Sequence, residues 1–394
     1  MTALEKFAGT LGRLFGPPRL FLAVLAWVLL LGVWGSIARA YLPMAHRNGW
    51  DDPLQARAPL YARFDSGWYL SIMELGYGPP PPPGKSSNHA FFPLYPYTAK
   101  ILHEALSIDG FYAGLIVSYL CLFLAMPLLY REALLRQGEG EARAAVAFLL
   151  LFPTSFFLAA VYAESMFLLF ALLALRDARS GPIWRAALFA ALLSLTRASA
   201  IAAAPALLLA ALERPAGYAA SPEPRPRRLW RALLLGAVPL VVVFGWIYGI
   251  GIVHGEPDLF FRSMGGWDRP TSSWHGIWDW FYSMGLRFKH QSWRTDPSLA
   301  LDYAATALFA LAAVFQLRRR RWSDAAWTGG ALLLPMTTGL SGGMPRFLLV
   351  VYPAYFAMTE ASRGRRVLRR VWWALSAAAL LFFSARFVNW LWVA

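Results

Sequence analysis

Four charged residues stand in or beside strongly apolar sequence: Asp65, Glu164, Arg197 and Arg346. A charge at the centre of a bilayer costs about 2.5–3.5 kcal/mol or more, so it is kept where it pairs or does chemistry. Two carboxylates and two guanidiniums at one interface suit a phosphate-bearing lipid. Arginine grips phosphate through a planar fork of charge-assisted donors, and a carboxylate can handle a proton. Blander roles compete. Asp65 precedes Ser66-Gly67-Trp68 and fits the N-cap of a short helix about as well as a catalytic base. Glu164 and Arg197 also fit a structural ion pair tying two helices together. Glu74 reads as a solvated helix face. His89 and His103 lie fourteen residues apart without a partner motif, which favours a solvent-facing or hydrogen-bonding role over a metal site. The lone Cys121 excludes an intrachain disulfide and any thiolate metal cluster.

The elements that must position these residues are membrane helices. Hydrophobic residues make up 58% of the 394 residues and charged residues only 15%. A spanning helix needs about 20 mostly apolar residues. Eleven such stretches recur, at about 20–40, 112–130, 144–158, 163–176, 184–196, 199–212, 232–252, 301–317, 322–340, 346–361 and 371–392. The shorter ones are expected to be tilted or paired. With the N-terminus cytoplasmic, residues 1–19, 131–143, 176–185, 213–231, 318–321 and 363–370 fall inside, and they carry 23 of the 37 Lys and Arg. That satisfies the positive-inside rule and accounts for the net charge of +15 without nucleic acid. Met1–Arg19 has no cleavage site after it, so the first span is expected to stay as an anchor. The chain reads as one integral-membrane domain over 1–394, with Ser221–Pro226 as an extended linker.

This threading puts Glu164, Arg197 and Arg346 at the outer ends of their helices and Asp65 on the same side, beside two long outer loops. The first, 41–110, holds Asp65 and a helical spacing of Trp68, Ile72 and Leu75, expected to lie on the membrane surface. Pro79–Pro83 then forms a stiff polyproline run leading to Asn88–Pro96. The second, 254–300, holds Trp267, Trp274, Trp278, Trp280 and Trp293 with few strong helix signals. Aromatic faces stack on sugar C–H faces, although an interfacial belt explains any single Trp more simply.

An ordered series of blocks carries a family resemblance. Phe64-Asp65 with Trp68–Ile72, Gly76-Tyr77 and Ala90–Pro96 resembles the first outer loop of the PIG-V-like family, that of glycosylphosphatidylinositol mannosyltransferase II and its prokaryotic relatives. Pro153–Phe157 with Tyr162–Ser165, then Thr196-Arg197, then Pro345–Phe347, look like that family's later blocks. Two departures concern the acceptor: Ser87-Asn88-His89 stands where the family often has an acidic residue, and the chain is short with a proline-rich insert.

The resemblance implies an all-α, GT-C-type membrane glycosyltransferase that moves mannose from a polyprenyl-phosphate donor to a lipid or glycan hydroxyl, with inversion. Asp65 is then the base, with Glu164 as a carboxylate that either supports the reacting groups from behind or orients the acceptor. Arg197 and Arg346 take the donor phosphate, and Trp68, Tyr69, His89, Phe92 and Tyr162 contact substrate. Such donors need no metal or other cofactor and no nucleotide-binding fold, and no Walker or Rossmann glycine pattern is present. Ala- and Arg-rich composition suggests a prokaryotic plasma-membrane protein with an outward-facing site; in a eukaryote the site would face the endoplasmic-reticulum lumen. The competing class is a lipid or sugar transporter or flippase, which also buries charges at helix breaks. Its binding charges are expected at mid-membrane and in two matching halves, and no repeat is found here.

Overall fold

The computed structural model describes residues 17–42, 58–82, 84–213, 224–265, 274–290, 292, 296–339 and 342–393. Among the described residues there are sixteen α-helices and no strand. They run α1 Pro18–Tyr41, α2 Ser66–Leu75, α3 Leu94–Leu106, α4 Gly110–Gln137, α5 Glu139–Leu150, α6 Glu164–Ser180, α7 Ile183–Ser194 and α8 Ala203–Leu212. The second half continues with α9 Arg225–Val253, α10 Leu259–Gly265, α11 Trp274–Lys289, α12 Pro297–Arg318, α13 Trp322–Met336, α14 Met344–Leu349, α15 Tyr352–Ala361 and α16 Arg366–Val388. The expected all-α architecture holds, and every one of the eleven apolar stretches contains helix.

Five helices among the described residues, α1, α4, α9, α12 and α16, are long and apolar enough to cross a membrane. Leu29 and Leu30 on α1, Val241 and Ile252 on α9, and Val367 and Leu375 on α16 are exposed. Such apolar faces suit hydrocarbon, and the protein is an integral membrane protein. Tryptophan indoles tie the outer helices to the rest: Trp27 donates to the Leu150 carbonyl at 2.8 Å, and Trp34 to that of Leu381 at 2.8 Å. Both carbonyls belong to neighbouring helices.

Three apolar stretches are broken, and the breaks carry the charges. After α5, Pro153 cannot supply a helical N–H. The chain makes a buried 3-10 turn over Ser155–Ala159 before α6 begins at Glu164. Hydroxyls take up freed carbonyls there: Ser155 donates to Leu150 at 2.6 Å, Ser165 to Leu158 at 2.6 Å and Thr154 to Pro345 at 3.1 Å. Such compensation is what lets irregular backbone persist inside a protein at membrane depth. After α7, Arg197 is extended (φ −160°, ψ 148°), and the Leu195 carbonyl accepts from Leu94 N at 3.0 Å. Before α14, Gly343 takes φ +80°, a left-handed turn that glycine makes without strain.

The two outer loops differ in part from expectation. Helix α2 forms, but its buried face is Tyr69, Leu70, Ile72 and Met73, and Leu75 is 83% exposed. The second loop is more helical than expected, with α10 and α11 in it. Trp280 of α11 is fully buried and Trp278 exposed. Gly276 weakens the sequence signal for α11 yet permits its packing. A Cβ there would fall 1.9 Å from the Thr337 carbonyl oxygen at the end of α13. Trp267 and Trp293 lie outside the described residues, as do Pro83 and residues 221–223 of the expected linker; Arg225 and Pro226 open α9 instead.

At the end of α6 away from Glu164, a second set of charges is buried. Arg136 contacts Glu132 at 2.6 Å and Asp324 at 2.8 Å, while Arg179 contacts the same two at 3.1 and 3.0 Å. The square joins α4, α6 and α13.

Candidate active site

The helix breaks bring Asp65, Glu164, Arg197 and Arg346 into one cluster. Arg346 donates from Nη1 to Asp65 Oδ2 at 2.6 Å and from Nε to Glu164 Oε1 at 2.5 Å. Arg197 donates from Nη1 to the same Glu164 Oε1 at 2.5 Å. Glu164 is completely buried, so its charge is held by two guanidiniums. It also opens α6, where the helix N-terminus favours a carboxylate. Aromatic faces back the cations: the Arg346 guanidinium lies 4.4 Å from the Tyr162 ring centroid, and that of Arg197 lies 5.3 Å from Phe347.

Asp65 occupies the N-cap position of α2, yet its side chain makes no capping hydrogen bond. The carboxylate turns to Arg346 instead. Its backbone is fixed from behind: Asp65 N donates to the Tyr162 hydroxyl at 3.2 Å, and that hydroxyl donates to the Arg63 carbonyl at 3.0 Å. The Asp65 side chain remains 18% exposed, against none for Glu164.

A cavity of about 170 Å³ opens over the cluster. Asp65, Arg197 and Arg346 line it, and Tyr69, Phe91 and Phe92 form part of its apolar wall. Glu164 does not reach the cavity; it lies beneath the arginines. A guanidinium carries five N–H donors, so each arginine has the capacity to hold Glu164 and an anion together. Two guanidiniums facing a cavity have the donors to bind an anion, and a partly exposed carboxylate beside them can accept a proton.

The other sequence-selected residues are dispersed around this core. Tyr69 and Phe92 are on the wall. Tyr162 supports Asp65 and Arg346 from outside the cavity lining. Trp68 is half-buried and stacks on Phe91 with ring centroids 6.1 Å apart. His89 is buried away from the cavity, and its Nδ1 lies 2.9 Å from Ser87 Oγ, which is 2.6 Å from Ser263 Oγ on α10. The hydrogen-bonding reading of His89 thus fits and the solvent-facing one does not. Burial, then the neighbouring His254, pushes its pKa below the ordinary value. Among the described residues no three His, Cys, Asp or Glu side chains form a metal-holding group.

Two positioning residues were not singled out in the sequence, although Asp302 stands at the edge of the 301–317 apolar stretch. Asp302, buried near the start of α12, accepts from Met344 N at 2.9 Å and so holds the turn that presents Arg346. Arg63 is buried and donates to the Pro59 carbonyl at 2.8 Å and the Val388 carbonyl at 3.2 Å, joining the first outer loop to the end of α16. Burial, then the charge of Arg39, lowers its pKa to about 10, which leaves it cationic at neutral pH.

Residues 56–236 match the family model described as Mannosyltransferase (PIG-V). This is the family the motif series resembles. The PIG-V match takes in Asp65, Glu164 and Arg197 and stops short of Arg346. Two solved structures are similar at low identity. One is an Archaeoglobus fulgidus oligosaccharyltransferase complex with Zn and sulfate, at 13% identity and a TM-score of 0.41, with 92% of this chain and 52% of that chain covered. The other is the archaeal oligosaccharyltransferase AglB from Archaeoglobus fulgidus with an inhibitory peptide and a dolichol-phosphate, at 12% identity and a TM-score of 0.42, with 93% and 55% covered. The chain spans about half the length of these proteins. No curated protein matches.

Proposed function

We propose that the protein is an inverting, GT-C-type mannosyltransferase that uses a polyprenyl-phosphate-linked donor and acts at the outer membrane face on a lipid or glycan hydroxyl. The observation that carries this reading is the meeting of Asp65, Arg197 and Arg346 on one cavity, above a buried carboxylate that aims both arginines. In the reaction, the acceptor oxygen attacks the anomeric carbon while the bond from that carbon to the phosphate oxygen breaks. The bonding pair leaves with polyprenyl phosphate, and the hydroxyl proton passes to Asp65. One displacement inverts the centre. Arg197 and Arg346 stabilise charge developing on the departing phosphate, in surroundings poor in water, where such preorganised donors act most strongly. Glu164 acts through them as a positioning carboxylate rather than touching the acceptor.

The test is turnover of purified protein with polyprenyl-phosphate mannose, followed as acceptor-dependent release of polyprenyl phosphate, in wild type and Asp65→Asn. Asparagine keeps the size of the side chain but cannot take the proton at neutral pH. The expected loss is on the order of 10²–10⁴ in rate, with Tm in detergent measured alongside because Asp65 also pairs with Arg346. A wild type that moves the lipid across vesicles without cleaving it would instead establish the transporter reading.

A further inference from the structure

The wall of the cavity is completed from the far end of the chain. Helix α16 stops at Val388, and Asn389 fastens the following segment by donating from Nδ2 to the Ala38 carbonyl at 3.1 Å. Trp390 then adopts φ +63°, and Phe64, immediately before Asp65, adopts φ +53°. Bulky residues populate this left-handed region rarely, and they stay there only where their surroundings over-determine them. Here the two strained residues hold each other, with ring centroids 5.4 Å apart. The Arg63 guanidinium caps the Trp390 ring at 5.0 Å. The turn brings Trp392 to the wall of the cavity that Asp65 also lines. Its indole meets Phe64 edge-on, with centroids 5.5 Å apart and an interplanar angle of 87°. Arg386 donates from Nη2 to its carbonyl at 3.2 Å. An indole anchored by an edge, lining a cavity and still 45% exposed, offers a fixed flat surface beside the base.

We propose that Trp392 is a sugar-contacting residue whose indole face stacks on the C–H face of a hexopyranosyl ring reacting over Asp65. This rests on the mannosyltransferase reading and names a subsite within it. The ring chemistry is shared by donor and acceptor, and the experiment separates them.

Binding of three probes to full-length protein in detergent is measured: polyprenyl-phosphate mannose, polyprenyl phosphate, and octyl α-mannoside as an acceptor-side probe. Trp392→Ala should weaken one mannose-bearing probe by about 3- to 10-fold, the scale of one aromatic contact, and leave polyprenyl phosphate unchanged. Loss confined to polyprenyl-phosphate mannose assigns the donor ring, and loss confined to octyl α-mannoside assigns the acceptor ring. Trp392→Phe, which keeps a π face, should recover most of the affinity. Trp392→Leu, bulky but without one, should not, and this pair stays informative if the alanine variant unfolds. Equal loss for all three probes, or no loss for any, overturns the proposal. A wild type that binds polyprenyl-phosphate mannose no better than polyprenyl phosphate, and does not bind octyl α-mannoside, overturns the mannose reading itself.

Discussion

Glu164 and the two arginines form a unit in which the carboxylate faces protein and the cations face the cavity. Replacing Arg197 or Arg346 by Ala should therefore weaken binding of a polyprenyl-phosphate donor by about 10- to 150-fold, the equivalent of about 1.5–3 kcal/mol for a hydrogen bond to a charged group. Lysine should restore only part, because an ammonium lacks the fork. Glu164→Gln should also weaken donor binding, since it unfixes both guanidiniums, while leaving the pH profile of turnover in place. A Glu164→Gln variant with a displaced pH profile would mean that Glu164 itself exchanges the proton. These residues were legible in the sequence because a charge among Leu, Ala and Phe has few reasons to be there. Their pairing was less so. The Glu164–Arg197 ion pair was one of the sequence's readings and is present, whereas the sharing of Glu164 with Arg346 shows only once three separate helix breaks approach each other. Motif position alone marks Trp68 and His89 as substrate contacts, yet Trp68 stacks on Phe91, His89 pairs with Ser87, and neither lines the cavity.

At the scale of elements, the breaks in the apolar stretches build the site, and each depends on a few polar anchors. Asp302 is the clearest. Asp302→Ala should loosen the Gly343–Arg346 turn and raise the donor KM several-fold, from loss of a bond worth about 1–3 kcal/mol. Asp302→Asn, which retains the accepting oxygen, should recover most of it. Equal KM values in wild type and alanine variant would remove Asp302 from the positioning of Arg346. The square of Glu132, Arg136, Arg179 and Asp324 predicts the opposite pattern. Asp324→Ala leaves a buried guanidinium short of a partner and should cost about 3–5 kcal/mol of stability, read as a lowered Tm in detergent, with donor KM unchanged in the folded fraction. Helix existence was readable from apolar runs. Their interruptions were only partly so, because Pro153 and Gly343 announce a break but not where its ends lead. Helix α11 escaped notice since Gly276 lowers local propensity, and the fit against Thr337 that repays it is a tertiary contact. Leu75 matched a helical spacing that α2 does not bury.

For the whole molecule, the arginine distribution predicts that α6 runs from the outer face to the inner one. With Cys121 replaced by Ala, a cysteine at exposed Lys85 should react with an impermeant maleimide on intact cells, and one at exposed Arg366 only after lysis. Labelling at position 366 from outside would invert both the topology and the side on which the proposed transfer takes place. The all-helical form followed from composition and run length, and five of the eleven expected stretches are helices long and apolar enough to span among the described residues, whereas the closure of the site by Trp392 was not legible. A tail residue shows its partner, Phe64, only once the chain has folded back. The same helix α6 ends in a buried charge cluster at each terminus, about 24 Å apart for 17 residues. Mechanically it is a strut: sliding it by one turn, about 5.4 Å, would tear both clusters at once. Any opening that admits a long lipid must therefore leave α6 in place and move other segments around it.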